Sequence, residues 1–224
     1  MASVWQLIKD GRYQEACAAA DAECAQSKDI APLRNKVLAL LNLARLEESV
    51  ELSKRIIEAT HGDTDVDYIF LGVTYWMMGK RSDAVTVWMD GEEAKYTDLA
   101  GGVEIPLLEY YAAMRLRDST LEERSTVALR GKYSRGPWPF PLVGYILGEV
   151  DANGVLGAVS SIPALKAKQI CQASFYFGVR KLRESDRAAA KHHFVESVGQ
   201  GPVTLTKQEY YLAKYELTSA RVDV

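Results

Sequence analysis

A turn followed five positions later by a small residue recurs along this chain at a nearly fixed interval, and that recurrence limits the fold more than any single segment does. Gly11-Arg12-Tyr13 leads to Ala16 and Ala20, Ala44-Arg45-Leu46 to Ser49 and Ser53, and Gly79-Lys80-Arg81 to Ala84 and Trp88. Ala16, Ser49 and Ala84 are 33 and 35 positions apart. Near the C-terminus FYFGVRKLRESDRAAAKHHFVESV repeats the pattern, with Gly178 twelve before Ala190 as Gly72 is twelve before Ala84, and Phe194 in the place of Trp88. A period of 33–35 residues is that of a helix–turn–helix unit, which cannot bury its apolar face alone and so requires neighbours.

The third unit, DVDYIFLGVTYWMMGKRSDAVTVWMDG over 65–91, is the clearest. Gly72 and Gly178 let a neighbouring helix approach where a side chain would hold it off, and Tyr75, Trp88 and Phe194 fill the space beside that contact. Leu38, Leu41 and Leu46 give the intervening helices one buried stripe. Between the good repeats the pattern decays. Residues 104–117 read as a helix with Pro106 in its first turn. Ser119 and Glu122 then form a capping box for the next helix. Pro137, Pro139 and Pro141 imply an extended run before a helix from about Leu142 to Val150, which Asp151-Ala152-Asn153-Gly154 ends. A short helix over about 155–161, a long one after Pro163 and a last one over 205–219, capped by Thr204 or Thr206, complete the chain.

These residues resemble the tetratricopeptide repeat superfamily, over about 1–95 and 172–200. WPFPLVGYILGE and CQASFYFGVRKLRESDRAAAKHHF are also similar to bacterial repeat proteins of the periplasmic adaptor-lipoprotein type. The resemblance implies an all-α, right-handed α-α superhelix: one domain over 1–224, with repeats at about 1–29, 30–62, 63–97, a degenerate 104–160 and 163–200, closed by a capping helix at 204–219. It implies protein or peptide binding in a groove lined by first helices. The repeat register puts Val66, Ile69, Phe70, Val73, Trp76 and Met77 there from the third unit, Arg34, Asn35, Leu38, Leu41 and Asn42 from the second, and Gln172, Phe175, Tyr176, Val179 and Leu182 from the last. Val66 and Phe70 stand where a carboxylate clamp needs a Lys and an Arg, so chaperone tails are not the expected ligand. The same groove suits the chain's own C-terminal helix or a homodimer contact.

Composition narrows the function classes. The 48% hydrophobic and 25% charged fractions are those of a globular domain, and no apolar run approaches the roughly 20 residues of a membrane span. The start, MASVWQLIKDGRYQEA, enters an amphipathic helix without an apolar leader, so a cytoplasmic address is expected, or a periplasmic one if a leader has been removed. Residues 1–110 carry 11 Lys/Arg and 19 Asp/Glu, net −8, and residues 111–224 carry 16 and 11, net +5; such asymmetry steers a basic partner to the first half. Cys17 and Cys24 lie seven apart on one helix, about 10 Å along its axis, beyond the roughly 7 Å reach of a disulfide; with Cys171 they read as small buried fillers.

Chemistry-bearing motifs are absent. Asp63-x-Asp65-x-Asp67 begins like a calcium loop, but Tyr68 replaces the turn glycine and Thr74 the bidentate glutamate. His192 and His193 point about 100° apart on a helix and do not chelate as an i, i+4 pair does. There is no G-x-S-x-G elbow, P-loop or dinucleotide fingerprint. Arg180, Lys181, Arg183, Arg187 and Lys191 spread over different helix sides and make no nucleic-acid patch. The expectation is a non-catalytic adaptor or scaffold with another protein or peptide as partner and no cofactor or metal. The alternative is an inhibitor or immunity protein that neutralises a toxin by tight one-to-one binding.

Overall fold

A computed structural model describes residues 2–27, 29–97 and 101–219; Met1 and Lys28 of the first expected repeat lie outside them. The described residues are all-helical, with thirteen α-helices and one 3₁₀ helix packing largely on their sequence neighbours. They gather into two compact units, Met1–Tyr96 and Thr97–Val224.

The first unit holds three helix pairs: α1 (Val4–Lys9) with α2 (Tyr13–Gln26), α3 (Ala31–Asn42) with α4 (Leu46–Ala59), and α5 (Asp65–Met77) with α6 (Arg81–Gly91). First helices also touch across the pairs, α3 meeting both α1 and α5. Each turn is made the same way. Gly11, Ala44 and Gly79 sit in the left-handed region at φ 75°, 55° and 78°. Each donates its N–H to the carbonyl three residues back, and the next N–H reaches five back (Arg12 to Leu7, Arg45 to Leu40, Lys80 to Tyr75). This pair of bonds satisfies the carbonyls that a helix end leaves open. It also reverses the chain in three residues, and Ala16, Ser49 and Ala84, all fully buried, follow their turns at the same distance.

The second unit opens with α7 (Glu104–Leu116) and α8 (Ser119–Lys132), followed by α9 (Phe140–Leu147) and α10 (Ala152–Gly157). The long α11 (Pro163–Arg183) pairs with α12 (Arg187–Val198), and the 3₁₀ helix Pro202–Thr206 leads into α13 (Gln208–Ser219). Arg117 and Ser185 occupy the left-handed turn position here, at φ 55° and 62°. Turn residues 11, 44, 79, 117 and 185 are thus separated by 33, 35, 38 and 68 residues, the last being two periods.

Four local expectations change. Asp118, not Ser119, caps α8, because its carboxylate accepts from both Thr120 N and Leu121 N at 3.0 Å. α9 starts at Phe140 rather than Leu142, since Pro141 falls at a helix start where its missing N–H costs nothing. Asp151 begins α10 instead of only ending α9, accepting from Gly154 N at 2.7 Å. α13 begins at Gln208, so neither Thr204 nor Thr206, both inside the 3₁₀ helix, is its cap. Cys17 and Cys171 are buried, while Cys24 is only partly so; all three are free thiols.

Candidate functional site

In the first unit the first-helix face of α3 and α5 is built on Trp76 and Trp88. A Cβ on Gly72 would lie 2.2 Å from Trp88 Nε1, so the missing side chain is the seat of the indole. Trp88 donates that N–H to Ile69 O at 3.2 Å and stacks on Trp76 with ring centres 5.7 Å apart. Arg81 covers Trp76, its guanidinium carbon 4.1 Å from the ring centre and its Nη1 2.6 Å from Trp76 O. Ile69, Val73 and Trp76 are therefore core residues, fully buried. Of the expected groove residues, Arg34, Asn35, Asn42, Val66, Phe70 and Met77 keep part of their surface, while Leu38 and Leu41 are buried.

Arg34 joins the two helices. Its Nε and Nη2 reach the two carboxylate oxygens of Asp67 at 2.8 Å, and Nη2 also reaches Thr64 Oγ1 at 3.0 Å. Asp67 is buried, and the pair is bidentate, the geometry that suits an arginine fork. Asp67, the last acid of the calcium-like run, is thus spent on holding α3 to α5, and among the described residues no cluster of His, Cys, Asp and Glu is placed to hold a metal ion.

In the second unit α11 is flanked by the elements that end the chain. α13 and the 3₁₀ helix lie on α11, and α13 also packs on α12. Phe175 and Tyr176, the expected groove residues of the last repeat, are fully buried; Phe175 meets Tyr111 at 5.1 Å, Tyr176 at 5.0 Å and Phe194 at 5.8 Å. Phe194 fills the space left by Gly178, where a Cβ would stand 2.6 Å from its ring.

Polar groups bind α13 in place. Glu216 accepts from Tyr111 Oη at 2.5 Å and pairs with Arg115 Nε at 2.9 Å, both on α7. Lys207 donates to Glu104 of α7 at 2.6 Å. Gln172 of α11 donates to Glu209 Oε1 at 3.1 Å, as does Gln208, and the Oε1 of Gln172 receives Trp138 Nε1 at 2.9 Å. Trp138 is the tryptophan of the proline-rich WPFP segment, and through Gln172 it ties that segment to α13. Glu209 is fully buried, and its Oε2 has no hydrogen-bond partner, nor has the hydroxyl of Tyr176. Burial, opposed by Lys207 and reinforced by the negative charge of Glu104, pushes the Glu209 carboxyl up to about 7. Burial likewise raises the Tyr176 hydroxyl well above its ordinary value and the Cys171 thiol to about 12, so neither ionises near neutrality.

Glu104, Glu209 and Glu216 were not among the residues expected to matter. Their spacing carries no motif, and a buried glutamate on a C-terminal helix reads in a sequence as a solvated one. No protein-family model matches this chain, and no curated protein matches it. Among the described residues no helix is long and apolar enough to cross a membrane.

Proposed function

We propose that the chain is a non-catalytic protein-binding adaptor of the tetratricopeptide type, its helix pairs stacked as a right-handed α-α superhelix. The observation that carries the reading is the recurring left-handed turn at residues 11, 44, 79, 117 and 185. Around it, buried Ala16, Ser49, Ala84 and Ala190 stand at one register after four of the five turns. Repetition at this interval serves to extend a surface rather than to build one catalytic pocket.

The partner is another protein or peptide. It meets the α3–α5 face at the side chains that keep exposed surface, namely Asn35, Asn42, Val66, Phe70 and Met77, with Arg34 held beside them by Asp67. A mixture of apolar groups and amides suits an amphipathic helix or an extended segment. Ile69, Val73 and Trp76 support that face from behind.

Capture from the native host with the wild-type chain and with Phe70→Ala, followed by native mass measurement, tests the reading. A partner retained by the wild type and lost by a variant with unchanged helical content supports it. Retention by both variants at equal strength removes the α3–α5 face from the site.

A further inference from the structure

α13 lies against Gln172 of α11, a position that the repeat register assigns to the groove, and one member of this contact is poorly served. Glu209 is enclosed on every side, its Oε1 taking both amide donors and its Oε2 taking none. A neutral carboxyl tolerates that enclosure, whereas a carboxylate in it pays desolvation that two amide hydrogen bonds do not offset.

The surrounding charges decide which form the docked helix holds. Lys207, at the end of the 3₁₀ helix, is the cation acting on Glu209, but its ammonium sits 2.6 Å from Glu104 of α7. Ionising Glu209 therefore leaves two carboxylates facing one ammonium. From α11 the facing groups are Gln172, Tyr176 and Cys171, with Lys168 close enough to feel Lys207. α12 reaches this corner with Ser197, hydrogen-bonded to Cys171 and uncharged. On α13 itself Glu216 is held separately by Arg115 and Tyr111.

We propose that the 3₁₀–α13 segment is a proton-controlled latch: with Glu209 neutral it stays docked on α7 and α11, and with Glu209 ionised it loosens and bares Phe175, Tyr176 and Gln172. The docked state keeps the proton up to about pH 7, and the open state releases it near the ordinary glutamate value of 4.5. Docking is therefore strongest below that range and weakens as the pH rises to 7. This inference rests on the reading of first-helix faces as binding surfaces, because only then does baring Phe175 and Tyr176 change what the protein binds.

Hydrogen exchange of the full chain, with protection of residues 208–219 and 172–179 corrected for intrinsic rates, tests the latch without any partner. Between pH 5.5 and 8 the wild type should lose protection roughly ten- to thirtyfold in these segments together. Glu209→Gln, neutral and of equal shape, should keep the low-pH protection at both values. Glu216→Gln should lower protection at both values and leave the pH dependence in place. Flat wild-type protection, or a Glu209→Gln variant that opens with pH as the wild type does, overturns the latch. An opening that follows pH as stated supports the latch whether or not the capture experiment with Phe70→Ala finds a partner, so the two readings fail separately.

Discussion

The two units use one helix-pair device and finish it in opposite ways. In the first, α3 is fastened to α5 by the bidentate pair of Arg34 with Asp67, and Asn35, Asn42, Val66, Phe70 and Met77 keep part of their surface. In the second, α13 packs on α11 and α12 at the end of the unit, and Glu104, Glu209 and Glu216 are buried. An apolar core tolerates a missing partner, whereas a buried carboxylate does not. The second unit, where Glu209 is fully buried with its carboxyl pushed up to about 7, is thus the one whose stability answers to pH near neutrality.

The largest expected effect tests whether the first unit depends on its indole pair. Trp88→Ala empties the seat at Gly72 and removes the stack on Trp76, and should cost about 3–5 kcal/mol in denaturant unfolding. A loss under 1 kcal/mol would mean that the pair is not its core. Glu216→Ala strips Tyr111 and the partly exposed Arg115 of an acceptor and should cost about 2 kcal/mol; a neutral result would mean that the Glu216 contacts do not hold α13. The unfolding midpoint of the wild type should fall as the pH rises from 5 to 7.5, because docked Glu209 keeps its proton to about 7 and so favours the fold most at low pH. In Glu209→Gln that slope should shrink or vanish. The smallest effect concerns the turns. Ala44→Gly relieves a left-handed alanine and should stabilise by about 0.5 kcal/mol, while Gly79→Ala at the same position of the next pair should destabilise by about 1 kcal/mol. Equal signs would show that the two turns are not equivalent.

The pairing of helices was legible because it depends on neighbours in sequence. Gly72 with Trp88 and Gly178 with Phe194 sit sixteen residues apart, inside one unit of the period, so a local pattern exposes them. Hidden from that reading were contacts that join distant elements. Glu104 meets Lys207 across 103 residues and Tyr111 meets Glu216 across 105, with no spacing rule to announce either. The α5 run YIFLGVTYWMM shows a third difficulty. Its apolar residues are too many for one stripe, and periodicity alone does not separate Trp76, sealed by Trp88 and Arg81, from Phe70 and Met77, which keep part of their surface.

Every tight turn uses three residues or fewer, so the unequal intervals of 33, 35 and 38 arise elsewhere, in the lengths of the helices and at the junctions that lead from one pair to the next. Those junctions run from four residues between α2 and α3 to five between α4 and α5 and twelve between α6 and α7. The tight turns are spared most of that variation. A flexible tag, a protease site or a cross-linking peptide grafted between α6 and α7 therefore leaves each hairpin in register, whereas one extra residue at Gly11, Ala44 or Gly79 would put the following helix out of phase with its partner.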